Sequence, residues 1–370
     1  MIDESDFWSQ ILAHPADLAL RLAFADWLEE HDRTDQALFI RWDCERTALL
    51  DRFDWGVQHS ARVRSLEFHC NELLIRHADA PWANPAPAPG ILGQFRSGFL
   101  EWVICNLRTF LTQLPALIDR IPLTGVQLTG GVGEFDRLTH DSQFARLAYL
   151  NLADLHYGNA DLDAILDSPY LASLRTLDLS NTGTHRRELD RIAEDDSLAR
   201  LRCLILNENQ LRADDFWTLA GRSHLSGLRR LYLSGNQLGN AGVEALAGSP
   251  LMGRLTHLDL SSNGLSSLAV QWLADSPRID RLQVLHLADN AIFDTGIIAL
   301  ANSPHLADLR YLNLQDTDVG DAALEAILNS PLAQRLEYLS ISTGEISEAL
   351  VQRIREHFGD GLIVPDAYNG

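Results

Sequence analysis

The chain has 370 residues, a formal net charge of −21 and 46% hydrophobic residues, a length that suits two domains or one elongated array better than a single compact core. No run of about eighteen apolar residues occurs, and the start, MIDESDFWSQ, has no basic segment leading into an apolar one, so neither a membrane span nor a signal peptide is expected. The acidity argues against nucleic acid, which needs clustered cations to displace counterions; it would attract a basic protein partner, or simply keep a large chain in solution.

Up to about residue 96 the pattern is helical. Phe7, Trp8, Ile11 and Leu12 share one helix, and further helices are predicted over Leu18–Leu28, Ala37–Leu50 and Ala61–His77. Asp17 is placed to cap the second helix and to pair with Arg21 at i+4. The segment APWANPAPAPG (80–90) is a semi-rigid proline-rich connector. Pro15, Asp17, Arg21, Leu22, the run Ala25-Asp26-Trp27-Leu28-Glu29 and Phe39-Ile40-Arg41 together resemble the repeat-companion domain, a small helical module that precedes repeat arrays in many bacterial proteins. The resemblance implies architecture rather than chemistry, and FRSGFLEWV (95–103) fits the way such modules join their repeats. Trp27 and Phe39 read as core, and Asp26 and Arg41 as structural ion partners.

GFLEWVIC (98–105) alternates as a capping strand, a helix follows near 108–119, and LTGVQL (123–128) is a degenerate first strand. TGGVG (129–133) reads as a turn, since no GK[ST] follows it.

Then a period sets in. Leu147, Leu174, Leu201, Leu228, Leu255, Leu282, Leu309 and Leu336 stand 27 residues apart. Behind each come two more apolar positions, from Leu150/Leu152 through Leu231/Leu233 to Leu339/Ile341, whose alternation predicts a short strand with the leucines turned inward. The second half of each unit has the i, i+3 spacing of a helix, as in Val243/Leu246 and Ile297/Leu300. Ser-Pro at 168–169, 249–250, 276–277, 303–304 and 330–331 predicts the helix stops. GLIV (361–364) falls where a closing strand would start.

These units resemble the leucine-rich repeat, LxxLxLxxNxL, in its long subfamily like ribonuclease inhibitor, over about 147–360. The resemblance implies an α/β fold: a right-handed leucine-rich-repeat solenoid, a horseshoe with a parallel inner sheet and outer helices, preceded by a small all-α domain. The expected boundaries are 1–90 for the helical module and 91–370 for the repeats, with caps at 91–122 and 361–370. It also implies an asparagine ladder after the strands. Asn209, Asn236, Asn263 and Asn290 match; Leu155, Thr182, Thr317 and Gly344 do not, nor do Tyr157 and Thr184 at the next apolar column. The ladder is therefore expected only in the middle of the array.

No Walker A, dinucleotide fingerprint, HExxH or GxSxG motif appears, so no enzyme activity, cofactor or metal is expected. Four scattered cysteines, Cys44, Cys70, Cys105 and Cys203, lack ligand spacing and fit a reduced, cytoplasmic setting; Cys203 falls on an outward strand position. The positions between the inward leucines face the concave side. Arg230, Tyr232, His257, Asp259, His286, Tyr311, Asn313 and Tyr338 form one contiguous patch there, rich in the types that dominate protein interfaces. A protein-interaction scaffold follows as the first reading. The alternatives are a sensor or inhibitor subunit of a bacterial signalling or conflict system, and an enzyme whose site would bring Asp26, Arg41 and His31 into one cleft.

Overall fold

The computed structural model describes residues 3–53, 57–58, 60–83, 90–131, 133–139, 141–156, 158–221, 225–344 and 346–364. Most of the proline-rich connector and Tyr157 lie outside them. The chain divides into two compact units, residues 1–54 with 61–174, and 55–60 with 175–370.

The first unit opens with helices α1 (Glu4–Ala13), α2 (Leu18–Glu30), α3 (Thr34–Phe53) and α4 (Ala61–Arg76). Strands β1 (Leu92–Arg96) and β2 (Phe99–Cys105) follow, then α5 (Leu107–Ile118), β3 (Gly125–Leu128), α6 (Asp136–Thr139), β4 (Tyr149–Asn151) and α7 (Asn159–Leu166). β1 and β2 form an antiparallel hairpin, and β2, β3 and β4 run parallel. β1 escaped sequence reading because Leu92 is exposed and the strand has no buried alternation to betray it.

A polar clamp joins this hairpin to the helices. Asp17 caps α2 by accepting from Leu20 N at 3.1 Å, as its position suggests. Its expected partner Arg21 turns elsewhere. The Arg21 guanidinium is buried, forms an ion pair with Glu101 on β2, donates to the carbonyls of Pro15, Arg96 and Ser97, and lies over the Phe99 ring. Burial decides this. A desolvated guanidinium needs a carboxylate and several acceptors, which the solvent-exposed Asp17 at the helix start does not supply. The hairpin turn has positive φ at Ser97 and Gly98, and a side chain on Gly98 would collide with the Ile40 backbone. Buried Asp43 of α3 accepts from Gly98 N at 2.7 Å and from Arg46 Nε at 2.9 Å, while Thr47 Oγ1 accepts from Ser97 N.

The second unit repeats a single motif. Strands β5 (Thr176–Asp178), β6 (Cys203–Ile205), β7 (Arg230–Tyr232), β8 (His257–Asp259), β9 (Val284–His286), β10 (Tyr311–Leu314), β11 (Tyr338–Ile341) and β12 (Leu362–Ile363) alternate with helices. The helices are α8 (Arg186–Glu194), α9 (Ala213–Gly221), α10 (Gly239–Gly248), α11 (Ser267–Asp275), α12 (Phe293–Ala301), α13 (Asp321–Leu328) and α14 (Glu348–Phe358). Every strand pairs in parallel with the next in chain order, and successive helices pack on one another. The inward leucines of all three columns are buried, Leu231, Leu258 and Leu312 completely so.

Buried asparagines stitch one loop to the next. Asn236 Oδ1 accepts from Asn209 N and Leu211 N of the preceding repeat at 3.1 and 2.9 Å, and its amide donates to Leu206 O and Leu233 O. Asn209 and Asn290 repeat the pattern, and Asn263 accepts from Leu238 N and donates to Leu233 O. Where threonine stands instead, at Thr182 and Thr317, the hydroxyl donates to the carbonyl of its own repeat, Leu179 O or Leu314 O. The residue just before seven of the eight ladder positions is left-handed: Asp154, Asn181, Glu208, Gly235, Ser262, Asp289 and Asp316 have φ between 50 and 68°. That turn swings the next side chain under the loop, and Asp and Asn tolerate it better than most residues.

The Ser-Pro stops fall where expected, with α10, α11, α12 and α13 ending one or two residues before them. Ser249 and Ser330 donate to their own helix carbonyls Leu246 O and Ile327 O, whereas Ser276 and Ser303 donate back to Ala247 O and Ala274 O of the preceding helix. The serines thus close helix ends and tie repeats together.

The clamp in the first unit yields a test. Burial pushes the Glu101 carboxyl up, opposed by Arg21 beside it. Arg21→Met leaves that carboxylate without its counter-charge, at an expected cost of about 3–5 kcal/mol near neutral pH. A carboxyl whose folded pKa is raised favours folding below its unfolded pKa and loses that contribution as pH rises through the folded value. The single variant should therefore be closest to wild type in acid and fall away toward neutrality. Arg21→Met/Glu101→Leu should recover most of the loss. Urea denaturation across pH reads both; a single variant as stable as wild type at neutral pH would contradict the account.

Candidate protein-interaction face

Parallel pairing without slips lines up the outward positions of the second unit. Arg230 pairs with His257 and His257 with Val284, then Val284 with Tyr311 and Tyr311 with Tyr338. In the adjoining row Tyr232 pairs with Asp259, Asp259 with His286, and His286 with Asn313. All eight residues of the sequence-derived patch are brought together on β7–β11.

They differ in depth. Arg230, Asp259, Asn313 and Tyr338 are half-exposed, whereas Tyr232, His257 and His286 are buried and Tyr311 is 0% exposed. Strands about 4.8 Å apart bring neighbouring rings into contact, so large side chains shield one another even on an open face. The His286 and Tyr311 rings lie 4.9 Å apart, with Tyr338 6.4 Å further along the row. Asn313 Nδ2 is 3.4 Å from His286 Nδ1, His257 Nδ1 lies 2.9 Å from Thr256 Oγ1, and Asp259 accepts from Ser261 N. Among the described residues no group of three His, Cys, Asp or Glu side chains is arranged to hold a metal ion.

The leucine-rich repeat profile matches residues 224–247, 282–301 and 305–328, and a second profile of the same repeat matches 254–275. The units within 224–328 are leucine-rich repeats. Similar solved structures include an internalin C2 from Listeria monocytogenes, 26% identical over 54% of this chain and 76% of that one, with a TM-score of 0.36. Human trophoblast glycoprotein is 24% identical over 68% of this chain and 91% of that chain at a TM-score of 0.42. The internalin inlF from Listeria monocytogenes is 20% identical over 70% and 77%, at 0.41. No curated protein matches the chain in sequence.

The borders of the leucine-rich-repeat face carry charge. The left-handed loop residues Glu208, Asp289 and Asp316 are exposed and stand in one row at the carboxyl ends of their strands. In the first unit, sequence reasoning missed an aromatic stack. Trp102 lies flat on Tyr149 with ring centroids 4.1 Å apart and planes within 7°, and the Arg96 guanidinium covers it at 4.9 Å. A side chain at Gly125, on the strand between them, would collide with the Trp102 ring. The signal was present as a glycine between two aromatic strand positions.

The remaining candidate chemistry is dispersed. Arg41 binds both Asp26 and Glu29 at 2.7 Å, while His31 stacks on Trp27 at 3.9 Å and contacts its carbonyl. The three do not form a catalytic group. All four cysteines are buried, Cys203 included, and burial pushes Cys44 and Cys70 up to about 12 and Cys105 to about 11. The thiols of Cys44, Cys70 and Cys105 are packing groups, too little ionised to act as nucleophiles near neutral pH.

Depth separates structural from presenting residues on the face. Tyr311→Ala should cost about 3–5 kcal/mol by opening a cavity in the packed row, and Arg230→Ala should stay within about 0.5 kcal/mol of wild type. Thermal melts of the two variants check this; equal losses would mean that burial does not sort the patch.

Proposed function

We propose that the chain is a non-catalytic interaction scaffold that binds a partner protein through the sheet face of its leucine-rich repeats. One observation carries the reading. A single invariant frame holds adjacent, variable and half-exposed side chains, Arg230, Asp259, Asn313 and Tyr338, over a packed layer that fixes their positions. A surface ordered in advance loses little entropy on binding. The exposed acidic row of Glu208, Asp289 and Asp316 favours a basic partner and orients its approach.

In this reading helices α1–α4 are the repeat-companion module, and the buried contacts of Arg21 and Asp43 to the first hairpin support that role. Reduced, buried cysteines suit a cytoplasmic site of action. Among the described residues no helix is long and apolar enough to cross a membrane.

The test is affinity capture from the source organism's lysate at low and high salt, comparing wild type with Arg230→Ala/Asp259→Ala/Tyr338→Ala. These half-exposed positions leave the packed layer intact, which a melt confirms. A protein held by wild type and lost by the variant is the expected result, with weaker capture in high salt for a basic partner. Equal capture by both would remove the face from the proposal.

A further inference from the structure

The opposite border of the second unit has the opposite sign. Arg200 and Arg202 flank Leu201, Arg175 follows Leu174 and Arg229 follows Leu228, while Arg254 precedes Leu255 and Arg281 precedes Leu282. All six therefore stand where the chain enters strands β5–β9. The backbone hydrogen bonds fix Arg175, Arg202 and Arg229 side by side, and Arg200, Arg254 and Arg281 stand two residues earlier in their own repeats. Arg202 N donates to Arg175 O at 2.8 Å, Arg229 N to Arg202 O at 2.9 Å, and Thr256 N to Arg229 O at 2.8 Å. Arg200, Arg202 and Arg281 are exposed, and Arg229 is anchored by donating to Ser226 O and Leu228 O. Gly227 stands where neighbouring repeats carry arginine, and a side chain there would collide with Arg202 Nη1. Among the described residues Arg200, Arg202, Arg229, Arg254 and Arg281 form no ion pair with a carboxylate. Burial, and after it the neighbouring charges of Arg202, Arg281 and Arg254, hold Arg229 below its ordinary pKa. Such crowding costs stability unless something offsets it, and the net charge of −21 shows that carboxylates were plentiful.

We propose that this arginine row is a docking surface for an acidic polypeptide segment, separate from the sheet face. Guanidinium forks match carboxylates two bonds at a time, and the long arginine and glutamate side chains bridge the difference between the strand spacing of about 4.8 Å and the roughly 6.8 Å between same-side residues of an extended acidic chain. A long nucleic acid would run off the row onto acidic surface, where the chain repels it. A second copy of the chain brings its own charge of −21 and is disfavoured for the same reason.

The test is fluorescence anisotropy with the full chain and a labelled peptide of alternating glutamate and serine, against a labelled oligothymidylate of equal charge. Wild type should bind the peptide more tightly than the oligonucleotide, and binding should weaken as salt rises from about 50 to about 300 mM. Arg200→Glu/Arg202→Glu/Arg281→Glu should reduce affinity at least about tenfold. The sheet-face variant Arg230→Ala/Asp259→Ala/Tyr338→Ala should bind as wild type does, so failure of this proposal and of the face reading are read separately. Should the reversal variant fail to fold, Arg202→Gln/Arg281→Gln should still weaken binding about threefold. No binding of the peptide by wild type, undiminished binding by the arginine variants, tighter binding of the oligonucleotide, or loss in the sheet-face variant would each overturn the proposal.

Discussion

The second unit depends on an amide buried under a loop. An asparagine at this position replaces water for four backbone groups that belong to two repeats, as Asn236 does for Asn209 N, Leu211 N, Leu206 O and Leu233 O. Loop backbone buried without partners would cost about 1–3 kcal/mol per group. Satisfying them from the neighbouring repeat couples adjacent units, so the order of one loop depends on the next. Threonine at Thr182 and Thr317 fills the same space with one hydroxyl, whose short bond goes to the carbonyl of its own repeat, Leu179 O or Leu314 O.

Once strands, loops and helix ends are fixed by leucine, asparagine and Ser-Pro, the other positions are free to vary. Glu208, Asp289 and Asp316 stand in loops at the carboxyl ends of their strands and six arginines at the entries to β5–β9, with an aromatic and amide face between them. A basic surface and an acidic segment would thus engage different borders of one rigid array. In the first unit the same economy appears as the hairpin turn held by Arg21, Asp43 and Thr47.

The repeat frame was legible because its period recurs often enough for each column to be read independently: the three leucine columns and the helix stops follow from spacing, and the interrupted ladder from the resemblance to leucine-rich repeats. Register was legible too, since a fixed 27-residue interval leaves no room for slips. Depth was not. Alternation says which face Tyr311 takes, but neighbouring rings decide that it is fully buried. Long-range polar partners were also hidden. Nothing near Arg21 announces Glu101, eighty residues away, and local spacing favoured Asp17 instead. The arginine row escaped because each member is one letter beside an invariant leucine, and only stacking shows that the letters meet.

The central claim is that the asparagine ladder couples the repeats into one cooperative frame. Native-state hydrogen exchange tests it most directly, at the amides of Asn209, Leu211, Asn263 and Leu265, which donate to ladder side chains. The account predicts that they exchange only on unfolding of the whole array, with the same protection free energy as the strand amides of Leu204 and Leu258. Faster exchange at the ladder, with the strand amides still protected, would show that the loops open on their own and that the asparagines decorate the frame without holding it.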